Sequence, residues 1–170
     1  MKNIIDHHTI DINKIIDISH KAGSKILQIY NKESFDHQLK TDNSPLTEAD
    51  IASHNLITQQ LNEITPNIPI LSEESSFISW QERKQWECYW LIDPLDGTKE
   101  FIKKNGEFTV NIALIYQHNP IIGVVHAPVL GETWIGEQGK PAKKIEKNST
   151  RVIKVKQHKQ GEVYKVVGSR

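Results

Sequence analysis

The chain is poor in the features that would give it away at once. It holds a single cysteine, carries no net charge, and has no long apolar run, no internal repeat and no low-complexity tract. One cysteine, Cys88, excludes an internal disulfide and fits a reducing, cytoplasmic setting. Lying in an apolar run, it reads as a small buried group rather than a reactive thiol. No apolar stretch approaches the ~18 residues needed to cross a bilayer, so no transmembrane segment is expected. The start, "MKNIIDHHTIDINK", lacks an apolar core of about 7–15 residues and a small-residue cleavage site, so it does not read as a secretory signal. What remains is 37% apolar and 25% charged residues over 170 positions, the composition of one globular domain with a proper core.

The zero net charge hides an asymmetry. Residues 1–139 carry 11 Lys/Arg against 19 Asp/Glu, whereas residues 140–170 carry 10 against 2. A stretch such as "KPAKKIEKNSTRVIKVKQHK" could touch an anionic surface. It lacks the interleaved aromatics of a nucleic-acid reader. The expectation is therefore a solvated strand pair and no nucleic acid.

The period of the apolar residues changes along the chain. Ile12, Ile15, Ile16, Ser19, Gly23, Ile26, Leu27 and Tyr30 recur at three- and four-residue spacing and predict a first helix. "NKESFDHQLKTDNSP" breaks it. A second helix is predicted from near Thr47, with Ala49, Ala52, Leu56, Ile57, Leu61 and Ile64 on one face and Pro66 as the stop. Short β-rich runs follow: "NIPILSEE", "ECYWLID", "EFTVNIALIY", "PIIGVVHAPVL", "TWIGEQG", "RVIKVK" and "VYKVV". Two helices and then sequential strands predict an α+β class, with the two N-terminal helices packed on a mainly antiparallel sheet. The last run has a strand-like character and no polar tail, which reads as a truncation.

The chemistry is suggested by acids that terminate apolar runs: Glu73 and Glu74 after "IPIL", Asp93 and Asp96 after "YWLI". Carboxylates at an apolar edge are costly without a positive partner. If the two runs are neighbouring strands, their ends gather three or four carboxylates, an all-oxygen environment suited to Mg²⁺. Read singly, Glu73 and Glu74 are equally well exposed loop acids. Pro94 prevents the strand from simply running on, and Gly97 and Thr98 open a helical turn, "TKEFIKK", whose free amides suit a phosphate. Asp50, in "Thr47-Glu48-Ala49-Asp50", fits a capping box, the stronger reading from spacing alone. Capping by one carboxylate oxygen leaves the other for a second role.

An apolar strand followed by Asp-x-Asp-Gly-Thr marks the haloacid dehalogenase phosphatases. Here two residues, not one, separate the aspartates, and the motif does not open the fold, so that family is rejected. The histidines show no ligand spacing: His7 and His8 read as solvent-facing, His126 as packed. Trp80, Trp86, Trp90 and Trp134 read as core or edge aromatics.

Taken together, "DNSPLTEAD", "LSEES" and "WLIDPLDGTKEFI" resemble the inositol-monophosphatase-like superfamily of Mg²⁺-dependent, lithium-sensitive phosphatases. "DPLDGTKEFIKKNGEFTVNIALI" and "GVVHAPVLGETW" are similar to its 3′(2′),5′-bisphosphate nucleotidase branch of CysQ type. The similarity runs from about residue 10 to the final "VVGSR". The resemblance implies a sugar-phosphatase-like N-terminal domain over residues 1–160, with 161–170 as the first strand of a C-terminal α/β domain that is otherwise missing. It implies that Glu73, Asp93 and the Leu95 carbonyl hold a first Mg²⁺, and that Asp93 and Asp96 share a second. Thr98 and Asp50 would be catalytic, orienting or deprotonating the water that the metal activates. Glu73, Leu95, Asp96, the Gly97 and Thr98 amides, and Lys99 would line the substrate. That substrate would be adenosine 3′,5′-bisphosphate, a by-product of sulfate assimilation, hydrolysed to AMP and phosphate. The resemblance also implies a cytoplasmic protein, with a peripheral place at the cytoplasmic face of the inner membrane and a homo-oligomer left open. Members of the family continue into a domain with a Trp-Asp-x-Ala-Ala motif that completes the second metal site. No such motif occurs here, so the alternative is an inactive Mg²⁺- or phosphate-binding remnant.

Overall fold

A computed structural model describes residues 10–32, 37–39, 45–147, 149–159 and 161–166. The first helix, α1 (Ile12–Tyr30), is capped by Asp11, whose side chain accepts from the Asn13 amide at 2.9 Å. Its buried face is Ile15, Ile18, Ser19, Ala22, Gly23, Ile26 and Ile29. That stripe is turned slightly from the predicted one, leaving Ile16 and Leu27 at its margin. The second, α2 (Glu48–Ile64), follows a short hairpin of β1 (His37–Leu39) and β2 (Pro45–Thr47) that the sequence reading treats as irregular. It buries Ala49, Asp50, Ser53, Ile57 and Leu61. Two polar residues on the inner face of a helix are a cost unless they have partners, and both have them.

One large sheet takes the remaining strands in sequence order: β3 (Ile70–Ser72), β4 (Cys88–Asp96), β5 (Thr109–Tyr116), β6 (Asn119–Ala127), β7 (Glu132–Glu137), β8 (Lys143–Glu146) and β9 (Ser149–Val152). Among the described residues, β3 and β4 are the one parallel pair of this sheet, and its other pairs are antiparallel. Between β3 and β4 lies the short helix α3 (Trp80–Arg83), and α4 (Thr98–Ile102) follows β4. Strand residues alternate faces. Trp90, Ile92, Val110, Ile112, Leu114, Ile122 and Val124 meet the helices and form the core with Phe101 and Phe108. Burying a side chain of this size contributes about 1.5–3 kcal/mol. Trp90 is fully buried and donates its indole N–H to Thr65 Oγ1 at 2.9 Å, fastening the sheet to the end of α2.

The other face of β4, β5 and β6 carries Leu91, Asp93, Asn111, Ala113, Gly123 and Val125. These residues line a concavity of about 370 Å³, with Glu73 at its rim.

Cys88 and His126 are buried, as expected. Trp90 is core, but Trp80 is not: it is 61% exposed, with the Arg83 guanidinium 6.0 Å above its ring. Part of the basic stretch forms strands β8 and β9, and two of its charges are answered across neighbouring strands. Lys144 meets Glu132 at 2.8 Å and Glu146 at 2.9 Å, and Arg151 meets Glu146 at 2.9 Å. The expected strand "RVIKVK" ends at Val152, and "KKIE" supplies an additional one. Residues 161–166 carry no strand, and the rest of the segment expected to open a second domain, 161–170, is not described. Residues 167–170 lie outside the described residues, as do His7 and His8.

Candidate active site

Parallel pairing of β3 with β4 sets Ile70 opposite Trp90 and Ser72 opposite Ile92. The next residue on β3 keeps the register, because the Glu73 amide donates to the Ile92 carbonyl at 3.2 Å. Glu73 and Asp93 therefore emerge side by side. The ladder to β5 is shifted between Asp93 and Asp96. That irregularity, where Pro94 offers no amide, brings Asp96 back to the same end of the sheet.

Three carboxylates so close strain one another electrostatically. Burial, and then the charges of Glu73 and Asp96, push Asp93 up to about 7, despite a hydrogen bond to backbone at Leu95 that acts the other way. Asp93 Oδ1 is buried and has no hydrogen-bond partner in the structure. A buried carboxylate oxygen without a donor is an expensive feature, and a hard cation with oxygen ligands relieves it. The donor set fits Mg²⁺ for this reason. The fit is an open one: among the described residues, no three His, Cys, Asp or Glu side chains close into a cage. Mg²⁺ usually keeps several of its waters.

Helix α2 supplies the second wall. Asp50, 1% exposed, accepts the Thr47 amide at 2.8 Å and the Thr47 hydroxyl at 2.5 Å through Oδ2. The capping box is complete. Its other oxygen, Oδ1, accepts the Thr98 hydroxyl at 3.0 Å. One turn along, Ser53 donates to the Pro94 carbonyl at 2.8 Å. The two buried polar residues of α2 thus grip the turn after β4 from one side.

That turn depends on Gly97, which has φ 100°. A Cβ there would sit 2.9 Å from the Glu107 carbonyl oxygen and 3.3 Å from Phe108 Cα, so glycine is required both sterically and conformationally. Thr98 also reaches the Leu95 carbonyl, at 3.3 Å. Leu95 is buried, whereas Lys99 is exposed on α4.

Of the predicted site residues, Asp50, Leu95, Gly97 and Thr98 meet around one turn, and Glu73, Asp93 and Asp96 meet at the strand ends beside it. Lys99 is carried by the same short helix without a described side-chain contact to the carboxylates. Three supporting residues were not anticipated. Ser53 lies on the same helical face as Asp50, three residues on, which is a legible spacing. Ser72 accepts the Glu74 amide at 3.3 Å and lies 2.8 Å from His54 Nδ1, bracing the β3 end. Asn111, which donates to Asp96 from the neighbouring strand, has no signal in sequence spacing.

This mainly antiparallel sheet backed by two helices, with acids at the ends of a parallel strand pair, is a fold shared with solved structures. The chain belongs to the inositol monophosphatase family, which matches it over residues 11–169. It is 49% identical over 130 residues to the 3′(2′),5′-bisphosphate nucleotidase CysQ of Salmonella typhimurium, covering 76% of this chain and 52% of that protein. The crystal structure of CysQ from Bacteroides thetaiotaomicron superposes with a TM-score of 0.71 at 42% identity, covering 89% of this chain and 54% of that one. The inositol monophosphatase of Thermotoga maritima superposes with a TM-score of 0.68 at 27% identity, over 77% and 49%. The chain spans about half the length of the curated relatives it matches.

Proposed function

We propose that this chain carries the metal- and phosphate-binding machinery of a Mg²⁺-dependent phosphatase acting on the 3′-phosphate of adenosine 3′,5′-bisphosphate. The observation that carries the reading is the buried, partnerless Asp93 Oδ1 between Glu73 and Asp96. Its support from kinship is the identity to proteins named 3′(2′),5′-bisphosphate nucleotidase.

In this reading Glu73, Asp93 and the Leu95 carbonyl would hold one Mg²⁺, with Asp93 and Asp96 available to a second. Bound there, Mg²⁺ supplies charge neutralisation for the phosphate and a more acidic water. The protein's own part is geometric and protonic. The Thr98 hydroxyl gives its hydrogen to Asp50 Oδ1, which leaves its oxygen lone pairs to accept from the attacking water. As that water bonds to phosphorus, its proton passes to Thr98 Oγ1 and the Thr98 proton to Asp50. The phosphorus–oxygen bond to the 3′ position breaks, and the departing alkoxide takes a proton from solvent. Asp50 is held for this by the two donors on Oδ2. The Gly97 and Thr98 amides and Lys99 receive the phosphate oxygens.

A second reading, Mg²⁺ and phosphate binding without turnover, is favoured by the open donor set, in which no three described His, Cys, Asp or Glu side chains close around an ion. Phosphate release from adenosine 3′,5′-bisphosphate, with Mg²⁺ and with or without millimolar Li⁺, separates the two. Lithium-sensitive release supports the phosphatase. No release from a folded chain that still binds Mg²⁺ supports the second reading, and no Mg²⁺ binding removes both.

A further inference from the structure

Asp96 is exposed, unlike the half-buried Asp93, yet it is not left to swing. Asn111 Nδ2 donates to Asp96 Oδ2 at 3.1 Å. The amide is oriented in turn: Thr109 Oγ1 donates to Asn111 Oδ1 at 3.0 Å. Because that oxygen accepts from Thr109, the NH₂ end is the one turned to Asp96. The hydrogen-bond chain from Thr109 through Asn111 to the accepting Asp96 runs across two strands and is made by their register. Asp93 faces Asn111 and Asp96 faces Thr109, with the ladder shifted between them. Asn111 also lines the concavity that holds Glu73 and Asp93.

We infer that Asn111, aimed by Thr109, is a positioning residue that fixes the Asp96 carboxylate for the cation, a step that rests on the function proposed above. A neutral donor suits this role. It satisfies one oxygen of Asp96 and leaves the other for the ion, whereas a lysine or arginine at the same place would compete with the ion for the carboxylate. Partners that orient a ligating carboxylate in this way typically govern affinity by about 10–100-fold.

The test is Mn²⁺ binding followed by electron paramagnetic resonance of the free ion, on the whole chain and without substrate. Asn111→Ala is expected to weaken binding at least ~10-fold. Thr109→Val, which keeps the shape and removes the hydroxyl, is expected to weaken it several-fold, and Thr109→Ser to restore it. A merely structural asparagine would change the melting temperature without changing affinity in the folded state. If the wild type binds Mn²⁺ and Asp93→Asn abolishes binding, while Asn111→Ala and Thr109→Val bind as the wild type does, the positioning role is overturned and the cation site stands. If the wild type binds no Mn²⁺ at all, the cation site and the positioning role fall together.

Discussion

The hydroxyl of Thr98 donates to Asp50 Oδ1 at 3.0 Å, joining the turn that follows β4 to the first turn of α2. The same carboxylate closes the capping box at Thr47 through its other oxygen. The start of α2 and the turn proposed to be catalytic therefore share one side chain.

Thr98→Val tests this link, since it preserves volume and removes the donor. Turnover is expected to fall by about 10²–10⁴-fold, the range for a positioned proton-transfer group, with little change in the Michaelis constant. Stability should fall by only about 0.5–1.5 kcal/mol, measured by urea unfolding. A variant with near-normal turnover would detach Thr98 from the chemistry.

Gly97→Ala should damage the same turn through the backbone. A residue forced to φ near 100° with a Cβ 2.9 Å from the Glu107 carbonyl oxygen carries strain on the order of 1–3 kcal/mol. Urea unfolding should report a loss of that size, and α4 should shift enough to lower turnover as well. An unchanged midpoint would mean that the loop before β5 yields freely.

Much of this site was legible because its parts are local. The capping box at Thr47 and Asp50 is a spacing, and so is the pair of aspartates around Pro94. The adjacency of "IPIL" and "YWLI" was a conditional expectation that the β3–β4 ladder meets. Asn111 was not legible. It reaches Asp96 only because β5 runs antiparallel to β4 with one irregularity in its register, and no spacing within one strand encodes that. The hairpin of β1 and β2 was hidden by its Asn, Ser and Pro residues, which read as a breaker. At the other extreme, Val163, Tyr164 and Val166 have strand propensity but stand largely exposed, since β-propensity expresses packing against neighbours. Trp80 misled for the same reason: a large apolar residue need not be inside.

One pH dependence of stability should arise away from the acids. His126 lies 4.6 Å from His20, centroid to centroid, and 3.0 Å from the Thr133 hydroxyl. Burial first, and then the proximity of His20, hold His126 down to about 4. Between about 4 and 6.5 the unfolded chain binds the proton that the folded chain refuses, so stability falls as the pH drops through that window. The loss attributable to His126 should be on the order of 1–3 kcal/mol, and His126→Asn should flatten it in urea titrations from pH 7 to pH 4. An equal slope in the variant would place the acid sensitivity elsewhere.

Asp93 works in the opposite sense. Its folded value near 7 lies above that of the unfolded carboxyl, so the metal-free protein binds the extra proton and loses stability as pH rises from about 4 to 7. Asp93→Asn should consequently be more stable than the wild type at pH 8 in chelator, by about 1–2 kcal/mol. A less stable variant would mean that the carboxylate is satisfied without a cation.

If the carboxylates of Glu73, Asp93 and Asp96 are held together for Mg²⁺, the melting temperature should climb with Mg²⁺ concentration. At ten times the dissociation constant, the wild type should gain about 1.4 kcal/mol, a rise of about 3–6 °C for a chain of this size. Asp93→Asn, though more stable in chelator, should gain almost nothing. Equal rises in the two proteins, or none in the wild type, would contradict the account.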